Sequence, residues 1–274
     1  MATPVARRVR LDQLLVERGL APTRSQAQAL VMAGRVSVGE GESARKDRKA
    51  GDLIGHGVPV TVAAGNTWVS RGAHKLLAAL DAFAVDPAGL IAADIGASTG
   101  GFTDVLLARG AARVYAIDVG YGQLAERLRH DTRVVSMERV NARTATPALL
   151  PEPVDLVVID VSFISLGLVL APVCSLLRNG RGPILALVKP QFEAGKRDAK
   201  GGVVRDPEIH KRVLRDVVAQ ASALHIGTRG VVASPIQGPE GNREFMAWFA
   251  AGPGCAEIDE RIEEAVAAAW EGAA

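Results

Sequence analysis

DIGASTGGFTDVLL, residues Asp94 to Leu107, reads as the end of a strand, a loop of small residues and the first turns of a helix. Gly96, Ala97, Ser98, Gly100 and Gly101 let a ligand approach the backbone, because glycine has no Cβ and tolerates φ/ψ values closed to other residues. The dinucleotide fingerprint needs a second glycine where Ser98 stands, so a pyrophosphate would meet a side chain. The P-loop pattern fails too, since no Gly-Lys-Ser or Gly-Lys-Thr closes the loop. S-adenosylmethionine remains: it carries no phosphate and asks for closeness and backbone hydrogen bonds. Asp118, ending the next strand in RVYAID, offers a carboxylate to the two hydroxyls of its ribose.

On both sides of this loop, helical patterns alternate with apolar strands. RGAHKLLAALDAF, FTDVLLAR, GQLAERLR, SLGLVLAPVCSLL and PEIHKRVLRDVVAQASAL read as helices. LIAADI, RVYAID, RVVSM, DLVVID, PILALV, GTRGVVASP and EFMAWFA read as strands, and IDERIEEAVAAAWEG as a closing helix. Continuous apolar strands alternating with helices predict a doubly wound, Rossmann-like α/β domain whose sheet is largely parallel and covered on both faces. Its ligand belongs at the carboxyl ends of the strands, where the glycine loop, Asp118, Asp160 and Lys189 fall on one rim.

The chain has 274 residues and a formal charge of +2, yet its first fifty residues carry ten Lys/Arg against five Asp/Glu. That asymmetry points to a nucleic-acid or anionic partner for the N-terminal part. There, RLDQLLVERGLAPTRSQAQALVMAGRVSV reads as two short helices, the second capped by Thr23 or Ser25 and ended by Gly34, then a strand. GEGESARKDRKAGD reads as a loop, DLI and VPVTV as further strands. Residues 1–63 are therefore expected to form a small α+β RNA-binding domain, 64–69 a linker, and 70–274 the sheet domain. Arg7, Arg8, Arg10, Arg24, Arg35, Arg45 and Lys46 supply its positive face. Two cysteines without paired spacing suit a reducing cytoplasm and exclude a disulfide scaffold or structural zinc. Charges interrupt any secretory core near the start, and VSFISLGLVLAPVCSLL is short for a membrane span and contains Gly167 and Pro172.

Two strands end in charged residues for which a buried parallel sheet has no packing use, Asp160 and Lys189. Lys75 on the first helix of the domain and Glu244 after QGPEGNRE could complete a cluster of two lysines and two carboxylates. Such a cluster can use a lysine amine as a base toward a ribose hydroxyl, the acids orienting it, with no metal required. A structural ion pair at the rim is the alternative reading. Tyr121, Phe163 and Phe192 could stack an everted base or simply pack the rim; Phe192, close after Lys189, is the preferred platform.

Taken together, WVSRGAHKL, GASTGGFT, DVGYGQL, LVVIDVSFISL, LVKPQFEAGK, GGVVRDP and SPIQGPEGNREF, in this order, resemble the TlyA family of ribosomal RNA methyltransferases, also labelled hemolysin A. The N-terminal part is similar to the αL RNA-binding motif of a ribosomal protein and several pseudouridine synthases. The resemblance implies an FtsJ-like domain that moves a methyl group from S-adenosylmethionine to the 2′-hydroxyl of cytidine in 16S and/or 23S ribosomal RNA within ribosomal subunits. It implies a catalytic tetrad at Lys75, Asp160, Lys189 and Glu244, with Lys189 as base. It also places the cofactor against Asp94, Gly96, Ala97, Ser98, Thr99, Gly100, Gly101, Phe102, Asp118, Val119 and Asp160, with Glu138 or Asn141 near the adenine, and RNA against Arg71 and Phe192. A catalytically silent RNA-binding assembly protein is the alternative, and a membrane-active hemolysin a weaker one. No Asn-Pro-Pro-Tyr loop follows the fourth strand, where the chain reads DVSF, so ribose fits better than a base nitrogen as acceptor.

Overall fold

The structure is a computed structural model that describes residues 7–32, 35–41, 44–45, 48–62, 68–195 and 197–271. The chain divides into two compact units, residues 1–67 and 68–274. Gly34, Lys46, residue 63 and residues 64–67 of the expected linker lie outside the described residues.

The first unit contains β1 (Arg8–Arg10), α1 (Leu11–Glu17), α2 (Arg24–Met32), β2 (Val36–Val38), β3 (Leu53–Gly55) and β4 (Val60–Val62). β1 pairs antiparallel with β3, and β2 antiparallel with β4. Leu11, Leu14 and Leu15 close one face of α1 over Ala27, Val31 and Ile54. Thr23 caps α2 by accepting from the Gln26 amide at 3.3 Å. β1 was not expected: three residues reading RVR carry charge at both ends, and their extended conformation comes from pairing with β3.

The second unit contains α3 (Ala73–Phe83), β5 (Ile91–Ile95), α4 (Gly101–Ala108), β6 (Arg113–Ile117), α5 (Glu126–Arg129), β7 (Val134–Met137), β8 (Leu156–Ile159), α6 (Leu170–Cys174), β9 (Ile184–Val188), α7 (Pro190–Glu193), α8 (Pro207–Ala223), β10 (Ile226–Ala233), β11 (Phe245–Ala251) and α9 (Ile258–Glu271). Among the described residues the sheet runs in the order β10-β11-β9-β8-β5-β6-β7. β7, β6, β5, β8 and β9 are parallel, while β11 and β10 complete one edge antiparallel. After β7 the chain returns to the other side of β5, so β5 and β8 flank the switch point where a ligand crevice opens.

Strand residues alternate between two cores. Val114, Val158, Leu185 and Met246 pack under Leu76 and Leu80 of α3, Val105 and Leu106 of α4 and Leu128 of α5. Val157, Ile159, Ala186, Phe245 and Phe249 face Val173 of α6, Val213, Leu214 and Val217 of α8 and Val266 of α9. Each fully buried leucine or valine stabilises this sandwich by about 1.5–3 kcal/mol.

Two expected helices are shorter than their patterns. SLGLVLAPVCSLL divides into a 3-10 turn, Leu166–Leu168, and the five residues of α6. Pro172 lacks the amide that would continue the ladder. GQLAERLR contributes only the four residues of α5.

Candidate active site

The glycine loop is built first by packing. Gly96 has φ +83°, and a Cβ there would lie 2.6 Å from the carbonyl oxygen of Asp160, because β5 and β8 pair Ile95 with Ile159. Gly100 has φ +95°, and its Cβ would lie 2.3 Å from Leu128 Cδ1. At these two positions the missing side chain admits the neighbouring chain, a reason different from the ligand approach expected from the sequence.

Asp94 lies beneath the loop, wholly buried. Its Oδ2 accepts from the Thr103 amide at 2.8 Å and the Thr103 hydroxyl at 2.6 Å, which ties the first turn of α4 to β5. Its Oδ1 is buried without a hydrogen-bond partner. Burial, with the charges of Asp160 and Asp118 added, outweighs the Thr103 bonds and pushes the Asp94 carboxyl up to about 7.

Asp118 follows β6 at the rim. Its Oδ2 accepts from the Ser98 amide at 2.8 Å and its Oδ1 from the Gly120 amide at 2.6 Å. Each oxygen keeps a lone pair for a further donor. A cavity of about 700 Å³ opens here between Gly96, Ser98, Asp118, Val119, Asn141 and Asp160. Asn141 caps the turn Ala142–Thr144, whereas Glu138 accepts from the Gly122 amide at 2.9 Å. Of these two adenine candidates, Asn141 lines this cavity and Glu138 a smaller one beside Asp118. The donor set fits a nucleoside diol without phosphate: a carboxylate at the strand end, backbone groups of a small-residue loop and few cations.

A second lobe of about 650 Å³ shares Gly96, Ser98, Asp160, Ser162, Phe163 and Phe192 with the first. Gly101, Thr99, Phe102 and Arg71 also line it, Arg71 donating to the Gln237 carbonyl at 3.2 Å. All four charged residues singled out from the sequence meet in this lobe, as two pairs. Lys75, on α3, pairs with Glu244, and both are buried. Lys189 Nζ lies 2.5 Å from Asp160 Oδ1 and donates to Ser162 Oγ at 2.8 Å. Register explains the convergence: β11 and β9 pair Phe245 with Val188, so Glu244, just before one, neighbours Lys189, just after the other.

Sequence reasoning missed Ser162, Gln191 and Glu193. Gln191 Nε2 donates to Glu244 Oε1 at 3.4 Å. Glu193 accepts from Ser165 Oγ at 2.7 Å and the Leu166 amide at 2.8 Å, and burial raises its carboxyl above the usual range. The signals were present: Ser162 stands two places after Asp160, and Gln191 and Glu193 follow Lys189 in one helical turn. Phe192 packs against Phe163 with ring centroids 4.8 Å apart and planes tilted by 46°. Among the described residues, no three His, Cys, Asp or Glu side chains gather at metal-ligand spacing.

The expected RNA-binding arginines divide in two. Arg10 and Arg24 both bond Asp12, which is wholly buried, and Gln28 donates to the same carboxylate at 2.9 Å. The Arg10 guanidinium, ahead of burial and the other donors, holds the Asp12 carboxyl far below the usual range. Arg7, Arg8 and Arg45 are exposed, and Arg35 is half-buried.

Residues 68–251 match the FtsJ-like methyltransferase family and residues 9–41 the S4 domain. The 16S/23S rRNA (cytidine-2′-O)-methyltransferase TlyA of Mycobacterium tuberculosis is 47% identical over 263 residues, 96% of this chain and 97% of that one. Hemolysin A of Brachyspira hyodysenteriae is 37% identical, over 88% of this chain and 99% of that one. A solved structure from Streptococcus thermophilus that carries a hemolysin label is 42% identical, with a TM-score of 0.73 over 97% of this chain and 96% of that one. With its sheet, its S4 module and this likeness along nearly its whole length, the chain belongs to the FtsJ-like methyltransferases and, among them, to the TlyA family.

Proposed function

We propose that this protein methylates the 2′-hydroxyl of cytidine in 16S and/or 23S ribosomal RNA, working on ribosomal subunits in the cytoplasm. The observation that carries the reading is the meeting of Lys75, Asp160, Lys189 and Glu244 in one cavity beside the small-residue loop. A silent RNA-binding scaffold gains little from two lysines and two carboxylates placed there. Among the described residues, no helix is long and apolar enough to cross a membrane.

S-adenosylmethionine is the methyl donor, supplying a methyl group on a positively charged sulfur that leaves as a neutral thioether. In this reading Asp118 accepts its ribose hydroxyls, Asn141 lies beside the adenine, and the loop from Gly96 to Phe102 holds its remainder. Lys189 takes the proton of the ribose 2′-hydroxyl, and Asp160 stabilises the ammonium that results. Lys75 and Glu244 compensate each other and keep a second charge pair beside Lys189. Much of the acceleration then comes from holding the 2′-oxygen in line, about 3 Å from the methyl carbon. Residues 1–63 grip RNA through exposed arginines, with 64–69 as the linker to the catalytic domain. Arg71 and the Phe163–Phe192 pair, at the mouth of the catalytic cavity, receive the target nucleotide.

The test is transfer of labelled methyl from S-adenosylmethionine to purified ribosomal subunits, with alkali-resistant mapping of the product. A 2′-O-methylcytidine supports the reading. RNA affinity without transfer to either subunit overturns it.

A further inference from the structure

We infer that Ser162 is a positioning residue for Lys189, which aims the lone pair of the amine at the substrate. The inference rests on Lys189 being the base. A neutral lysine amine carries two N–H bonds and one lone pair, and it accepts a proton only along that lone pair. Lys189 Nζ donates to Ser162 Oγ at 2.8 Å, whereas Asp160 Oδ1, 2.5 Å away, is its counter-charge and receives no hydrogen bond from it. With one N–H held on Ser162 Oγ and the carboxylate charge of Asp160 beside it, rotation of the amine is restricted and the lone pair is kept toward the cavity. Asp160 and Ser162 line the cavity together with Lys189, and Lys189 is otherwise buried, so the cavity is where a proton can be received. After transfer, the proton from the 2′-hydroxyl is the third N–H of the ammonium, and the N–H held on Ser162 stays where it was. Without Ser162 the amine keeps only the undirected attraction of Asp160 and rotates about its terminal bond, presenting an N–H to the hydroxyl as readily as a lone pair.

The backbone supplies an independent indication. Phe163 has φ +63°, a region costly for a bulky side chain. Such a conformation persists only where the surroundings over-determine it. Here α7 grips the loop at two places. Phe192 packs at a tilt against Phe163, and Glu193 accepts from Ser165 Oγ and the Leu166 amide. The helix that opens immediately after Lys189 thus holds the loop that carries Ser162, and the reversal at Phe163 is what accompanies the approach of Ser162 Oγ to Nζ.

The experiment compares Ser162→Ala, Ser162→Thr and Lys189→Ala in the full chain. Single-turnover methyl transfer to ribosomal subunits is measured, with Kd for S-adenosylmethionine and for the subunits determined separately. Ser162→Ala is expected to slow transfer by about 10- to 100-fold while both Kd values stay within about twofold, because misaiming a fixed base costs rate rather than binding. Ser162→Thr, which keeps the hydroxyl, is expected within about threefold of the parent. Transfer by Ser162→Ala at the parent rate overturns the inference, as does a weakened Kd that accounts for the whole loss. Failure of Ser162→Thr to recover the rate, with both Kd values normal, also overturns it. Lys189→Ala separates the two levels. If it transfers methyl normally, the base reading falls and this inference with it; if it is inactive while Ser162→Ala is not slowed, only the role of Ser162 falls.

Discussion

The N-terminal unit buries Asp12 between Arg10, Arg24 and Gln28, whereas the catalytic unit sets Asp160 beside Lys189 and Glu244 beside Lys75. Both arrangements satisfy the same electrostatic requirement, that a carboxylate leaving water be paired. They differ in what the partner can do. A guanidinium stays protonated at any working pH and presents a rigid fork, so the Asp12 knot can only hold shape. An ammonium on a flexible stem can lose its proton, so the lysine pairs can hold shape and also do acid–base chemistry. The two lysine pairs differ again: Lys75 and Glu244 are both buried, whereas Lys189, equally buried, is paired with a partly exposed Asp160 and has Ser162 as third member.

The sharpest way to break this contrast is Lys189→Ala, expected to cut methyl transfer by about 10²- to 10⁴-fold in single-turnover assays while RNA and cofactor affinities stay unchanged. Retained turnover would return Lys189 to a structural role like that of Arg10. Glu244→Gln comes next. It leaves the Lys75 ammonium buried without its counter-charge and should lower unfolding stability by about 3–5 kcal/mol in denaturant titration. The apolar pair Lys75→Met with Glu244→Leu should recover most of that stability but not activity. Recovery of both would show that this pair only packs.

Asp94 extends the comparison to a carboxyl with no cation. Its native proton stays on up to about pH 7, whereas an aspartate in the unfolded chain loses it at about 4. Between those values the native state binds more protons, so this group makes stability fall as pH rises from about 4 to 7, by as much as about 4 kcal/mol. Asp94→Asn keeps an acceptor for Thr103 and should flatten that slope in urea unfolding followed against pH. An unchanged slope would mean that the carboxyl ionises normally.

Smaller effects belong to the basic module. Asp12→Asn should lower the stability of the module by about 2 kcal/mol, since two guanidinium groups lose their charged partner. Arg8→Ala, which leaves the knot intact, should reduce the slope of log affinity against log salt by about 1. A larger loss of RNA affinity for Arg8→Ala than for Asp12→Asn would separate the binding surface from the knot that shapes it.

The sheet was legible because continuous apolar strands and amphipathic helices each carry their own period, and burial on both faces demands it. Asp160 and Lys189 were legible because charges at the ends of buried strands have no packing use. The extent of SLGLVLAPVCSLL was not, since apolar periodicity continues through Gly167 and Pro172 while the backbone ladder does not. Nor was β1, whose conformation rests on hydrogen bonds to β3, more than forty residues away in the chain.

By itself the sequence determined the doubly wound architecture, the basic character of the N-terminal module, the small-residue loop and four charged residues that meet beside it. Those features are local: each depends on a period, a charge count or a short motif. Only the tertiary structure decided which lysine pairs with which carboxylate, that Gly96 is required by the Asp160 backbone, that Arg10 and Arg24 share Asp12, and that Ser162 joins Lys189. Each of these depends on register between strands distant in sequence or on a turn held from outside, as at Phe163, and such information appears only when the segments are packed together.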